Sequence, residues 1–157
     1  MAFRRRAFTF IAVSLLTVLA TGAAGAAQPS REPLVIEDEE FDNLCPFPVL
    51  LEITANKEFV TFFSDGRIFV NGKLFVRVTN LDTGESLDAN VSGPAHITLL
   101  SERGAGRGIF LLFPEDVGGP GIILGTGRVD IVRGEDGFIT DLDIRGTTFD
   151  VCAALDA

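Results

Sequence analysis

Arg67-Ile68-Phe69-Val70-Asn71-Gly72-Lys73-Leu74-Phe75-Val76-Arg77-Val78-Thr79-Asn80-Leu81 sets two short apolar runs on either side of an Asn-Gly pair. Asn and Gly tolerate the positive φ angles that a tight hairpin turn demands, so the stretch predicts two antiparallel strands. Upstream, Asp65-Gly66 marks another turn, preceded by the aromatic and β-branched run 58–63. Before that, Phe47, Val49, Leu51 and Ile53 alternate along 47–54 and fall on one face of a strand. Downstream, Asp82-Thr83-Gly84 leads into 85–92, and Gly93-Pro94 leads into 95–101. The runs 108–113, 122–124, 127–132, 138–145 and 147–152 bring the total to about ten strands. Gly104-Ala105-Gly106-Arg107-Gly108 reads as a flexible connector, since no helix follows it to cradle a phosphate. The loop 114–121 holds two prolines and three glycines, which excludes a helix there. The expected fold is all-β, an antiparallel meander closing into a single small β-barrel, with a β-sandwich as the alternative. An immunoglobulin-type sandwich fits poorly, because the cysteines flank the domain and the chain has no Trp.

The chain has 157 residues, 46% of them hydrophobic and 22% charged, which fits one globular domain. Three segments are expected. In 1–27, Arg4, Arg5 and Arg6 precede an apolar run and a small-residue stretch ending at Ala26 and Ala27. That order describes a secretory signal peptide cleaved after Ala26 or Ala27, and the apolar run is too short to span a bilayer. Arg5-Arg6-Ala7-Phe8 also resembles the core of a twin-arginine signal. On this reading the leader engages the membrane only during export, and the protein is secreted. In 28–43, Pro29, Pro33 and the block Glu37-Asp38-Glu39-Glu40 predict an acidic flexible tail. Residues 44–157 form the expected barrel domain.

The formal net charge is −9, and the three leading arginines lie in the leader, so the remainder is more acidic still. Such a surface repels phosphate backbones and excludes nucleic acid as a partner. Cys45 and Cys152 are the only two cysteines and stand 107 positions apart. In an oxidising compartment they are expected to form one disulfide clipping the start of the domain to its end.

No motif predicts catalysis, a cofactor or a metal. His96 is the only histidine, and no Gly-x-Ser-x-Gly elbow accompanies it. One histidine is too few for a zinc site of the usual kind. Asp141 and Asp143 share one strand face with Arg145, a pairing that could serve acid–base chemistry or calcium but is expected to lie solvated outside. The sharpest functional hint is aromatic: the chain has 14 Phe but no Trp or Tyr, which disfavours a carbohydrate module. Phe59-Val60-Thr61-Phe62-Phe63 and Ile109-Phe110-Leu111-Leu112-Phe113 are apolar on both faces, so one face needs a cover, a partner or a ligand.

Cys45-Pro46-Phe47-Pro48-Val49, Thr79-Asn80-Leu81-Asp82-Thr83-Gly84, Asn90-Val91-Ser92-Gly93-Pro94 and Asp150-Val151-Cys152-Ala153-Ala154-Leu155 are spaced along the chain in a characteristic order. The order resembles an uncharacterised family of small secreted actinobacterial β proteins. The resemblance implies export and the terminal cysteine clip and brings no catalytic residue with it. The layout is also similar to allene-oxide-cyclase and lipocalin-like barrels, at the level of fold alone. The expected function is a non-enzymatic β-barrel holding an apolar small molecule. The alternatives are an allene-oxide-cyclase-like isomerase with His96 pointing inward and a structural protein of the cell envelope.

Overall fold

The computed structural model describes residues 28–156. The expected signal peptide 1–27, with its arginine motif and cleavage point, lies outside the described residues. Eleven strands run in order: β1 (Ser30–Pro33), β2 (Glu39–Phe41), β3 (Val49–Asn56), β4 (Phe59–Phe62), β5 (Ile68–Asn71), β6 (Leu74–Asn80), β7 (Ser86–Asn90), β8 (Ala95–Ile97), β9 (Ser101–Leu112), β10 (Gly121–Arg133) and β11 (Ile139–Asp150). One short helix, α1 (Val151–Leu155), follows. The fold is all-β and antiparallel. A seven-stranded sheet has the order β1-β4-β5-β8-β9-β10-β11, and a four-stranded sheet has the order β2-β3-β6-β7.

No closed barrel forms among the described residues: β1 and β11 are the unpaired edges of the larger sheet. The Asn71-Gly72 hairpin is corrected as well. β5 pairs with β4 and β8, whereas β6 pairs with β3 and β7, so the turn carries the chain from one sheet to the other. The reason lies beside it. Lys57 N–H donates to the Lys73 carbonyl at 2.7 Å, so the β3–β4 and β5–β6 connections cross between sheets side by side. A Cβ on Gly72, whose φ is +148°, would stand 2.2 Å from the Lys57 carbonyl oxygen. Glycine is needed there for close passage of two backbones at a corner, a demand that local turn chemistry does not reveal.

The glycine-rich stretch 104–108 is no connector; it lies inside β9. The expected runs 122–124 and 127–132 merge into β10, and 138–145 joins 147–150 in β11. Gly106, Gly127 and Gly146 stand in one row across these three strands. Gly106 and Gly127 have positive φ, and a Cβ on Gly146 would lie 1.7 Å from the Thr126 carbonyl oxygen. The large sheet creases at this row. Thirteen residues of straight β10 would set its ends roughly 40 Å apart. Yet the β9–β10 loop at one end reaches the start of β11 at the other: Val117 N–H donates to the Ile139 carbonyl at 2.8 Å, and Ile139 N–H donates to Asp116 Oδ1 at 2.6 Å. Asp116 Oδ2 also accepts from Phe113 N–H at 2.7 Å, so one buried carboxylate ties the loop to both strands.

Two apolar clusters result. Val49, Val76, Val78 and Leu44 pack with Ile122, Val151 and Leu155, so both sheets and the helix share a core. Leu112, Val129, Ile131 and Ile139 form the second cluster, inside the crease. The disulfide Cys45–Cys152 forms as expected, with its Cα atoms 5.3 Å apart. The strand expected over 147–152 stops at Asp150, whose side chain accepts from Ala153 N–H at 3.0 Å and caps α1. The segment read as a flexible tail also differs: β1 adds to β4, and β2 adds to β3. Phe41 is buried against Phe113 with ring centroids 6.2 Å apart, while Glu37 to Glu40 stay exposed. Edge strands need only one backbone partner, so like charges turned to solvent do not prevent them.

Candidate functional site

The crease encloses a cleft of about 760 Å³, within the range that small-molecule sites occupy. Its walls are Phe110, Phe113, Phe138, Ile131 and Ile139, and its polar groups include Glu102, Arg133 and Asp116. Backbone pairing explains why Glu102 is there. It lies between Ile97 on β8 and Ile131 on β10, in a row of otherwise apolar side chains that continues to Ile68 and Leu142. Phe110 is positioned by absence: its ring rests against Gly108 and Gly125, and a Cβ on Gly125 would come within 2.8 Å of it.

A second cavity of about 240 Å³ adjoins the cleft, sharing Glu102, Ile109 and Phe110 with it. Val70, Ala95, Gly104 and Val129, neighbours in one cross-strand row, line it, and the small side chains in the middle of that row leave the space open. Glu58, from the β3–β4 connection, is 6% exposed and lines this cavity too. Burial pushes the Glu58 carboxyl above its ordinary range. Burial likewise raises Glu102, with the Arg133 charge pulling partly the other way.

A carboxyl raised in the folded state favours folding below its unfolded value and loses that contribution as pH climbs through its folded value. Glu58→Gln removes an ionisable group whose charge burial opposes. The variant is therefore expected to melt a few degrees above the parent at neutral pH, and the gap is expected to close as pH falls below the ordinary 4.5. Thermal melts of both proteins across pH check this; a gap that widens in acid contradicts it.

The residues singled out from sequence lie elsewhere. Arg31, Thr61, Phe69, His96, Arg103, Asp130 and Asp143 occupy one straight row across all seven strands of the large sheet. His96 is exposed and its ring sits 4.5 Å from that of Phe69. Asp143 accepts from Arg145 Nε at 2.8 Å, and Asp141 is exposed two residues away. Asp130 accepts from both Arg103 and Arg128, and those hydrogen bonds hold its carboxyl below the usual range. On β9 to β11 this row carries surface ion pairs of small energetic weight. The aromatic runs fare as their pattern required. Ile109, Leu111 and Phe113 pack on the shared core, and Phe110 and Leu112 join the crease. Phe59 and Phe63 are capped instead by the Arg31 and Arg67 guanidinium groups at 4.2 and 5.2 Å.

Sequence reading missed Glu58 and Glu102. Alternation from Glu102 through Gly104, Gly106 and Gly108 to Phe110 would have found the second, had 101–112 been read as one strand. Among the described residues no group of three or more His, Cys, Asp or Glu is placed to hold a metal ion. No family model, no curated protein and no solved structure matches the chain.

Proposed function

We propose that the protein is an extracellular β protein, exported by its 1–27 leader, that holds an apolar small molecule in the crease without transforming it. The observation that carries this reading is the cleft itself: about 760 Å³, with three phenylalanines, three isoleucines and a leucine on its walls and charged groups such as Glu102, Glu115, Arg133 and Asp136 among them. The disulfide is consistent with an oxidising compartment. Architecturally we read the molecule as two stacked sheets with the larger one creased over the ligand, closer to a sandwich than to a lipocalin-like barrel. The cyclase alternative expects an inward histidine, and His96 stands on the exposed row, so nothing in the cleft favours it. The resemblance of its motifs to small secreted actinobacterial β proteins supports export and adds no chemistry.

The test is direct. Protein purified from its host, extracted with organic solvent and analysed by mass spectrometry, is expected to yield a stoichiometric apolar compound. Emptied protein is expected to rebind that compound, and Phe138→Ala is expected to weaken rebinding about tenfold by removing a ring from the wall. A clean extract, together with no enhancement of an apolar fluorescent dye by the emptied protein, overturns the reading.

A further inference from the structure

We propose that the end of the large sheet bearing the turns 63–67, 98–100 and 134–138 docks on a lipid bilayer with zwitterionic headgroups. Strand pairing brings these turns together. Ser30, Phe62, Ile68, Ile97, Glu102 and Ile131 form one cross-strand row just inside them, so β4–β5, β8–β9 and β10–β11 all turn at the same end. The Leu100 carbonyl accepts from Arg133 N–H at 2.9 Å, which holds two of the tips side by side. The crease brings Val117 there as well, through the bond from its N–H to the Ile139 carbonyl. Apolar side chains stand exposed around these tips: Leu99 is 91% exposed, and Phe62, Leu100, Val117 and Val132 are exposed too. Single exposed apolar residues are ordinary on any surface, but a concentration of them at adjoining tips marks an interaction site.

The course of the chain favours a bilayer as the occupant. Ser30 lies opposite Phe62, so the described residues begin at this same end. On the export reading the apolar run Phe8–Ala20 enters the membrane, and only residues 21–29 separate it from β1. A link of that length reaches at most about 30 Å, so the tips face the bilayer for as long as the leader is attached. Processing after Ala26 or Ala27 then releases the chain with this end already at the membrane. The apolar groups stand on separate turns, which suits shallow insertion among headgroups. Charge narrows the choice further. Glu115, Glu135 and Asp136 are exposed at this end, while Arg67 is paired with Asp65 at 2.7 Å and Arg133 donates to the Gly137 carbonyl. These acids oppose an anionic surface, and they oppose a second copy, which would set the same acids against each other. Zwitterionic headgroups meet neither objection. The docking surface does not rest on the ligand-holding role, but it sets the cleft, lined by Gly137 and Phe138, beside the phase in which an apolar compound collects.

Flotation of the processed protein with phosphatidylcholine vesicles tests this. The protein is expected to rise with the vesicles, and Leu99→Asp combined with Leu100→Asp is expected to lower its partition about tenfold or more. Leu81→Asp, at an exposed apolar residue beyond the end of β6 in the small sheet, is expected to leave partition unchanged. Both variants are expected to melt with the parent, since each replaces only exposed side chains. No flotation, flotation confined to anionic phosphatidylglycerol vesicles, flotation that survives the double substitution, or an equal loss in the Leu81 variant overturns the proposal. So does a dimer seen by analytical ultracentrifugation without vesicles and lost in the double variant, which would give the tips to a second copy. Each of these outcomes leaves the ligand-holding role to its own extraction and dye test.

Discussion

Gly127→Ala and Gly146→Ala are each expected to destabilise the fold by about 3–5 kcal/mol, at the upper end for point substitutions. Gly127 combines two demands: its φ is +108°, and a Cβ would stand 2.3 Å from the Arg145 carbonyl oxygen. At Gly146 the obstacle is purely steric, with the Thr126 carbonyl oxygen 1.7 Å from the added carbon. Both contacts are with backbone, which cannot swing aside as a side chain does. Relief requires β10 and β11 to part at the row where the sheet creases, and that would open the second apolar cluster and the cleft. Gly137→Ala is the control. Its φ is +89° but nothing lies within 4 Å of the added carbon, so the loss should be only about 1–2 kcal/mol from the left-handed backbone alone. Urea unfolding of the three variants separates these contributions. Equal losses at all three positions would mean that the row is not a point of close backbone approach, and the account of the crease would fail with it.

Replacing Cys45 and Cys152 together by serine is expected to cost roughly 4–5 kcal/mol, because the link closes a loop of 107 residues and so restricts the unfolded chain strongly. The folded protein gives a second reason to expect a large effect. Cys45 belongs to the segment leading into β3 of the small sheet, and Cys152 to the helix that follows β11 of the large one. The bond therefore holds the two sheets against their shared core, where Leu44, Val151 and Leu155 are buried. Unfolding by urea, with the slope compared between parent and double variant, measures the loss. A midpoint unchanged by the double substitution, or by reduction of the parent, would show that the core holds the sheets together unaided.

The two cavity glutamates and the surface aspartates held by arginines differ in what they contribute. Asp65, Asp88 and Asp130 are held low mainly by hydrogen bonds from neighbouring amides and arginines, so their contribution is present at neutral pH and fades in acid. Glu58 and Glu102 act in the opposite sense. The surface aspartates and the two glutamates therefore respond to pH in opposite senses.

Much of the fold was legible in the chain. Short β-branched and aromatic runs punctuated by Gly, Asn and Asp determined an antiparallel all-β protein, since alternation and turn chemistry act over a few residues. Two cysteines flanking the apolar region determined the disulfide, because only one intramolecular pairing exists. The exposed ladder of His96 and Asp143 was also readable, as polar residues spaced at two along strands. Tertiary structure alone decided the rest. Asn71-Gly72 became a sheet-to-sheet passage, not a hairpin, because its neighbour across space is Lys57, which no local window contains. Glycines that looked like loop markers at 104–108 lie in a long strand, where their missing side chains let backbones and the Phe110 ring approach. The site followed the same logic. Glu58 and Glu102 are far apart in sequence and ordinary in type, and only the folded sheet brings both to the lining of one cavity. Periodicity reports which way a side chain points; how the sheet folds over determines what it faces.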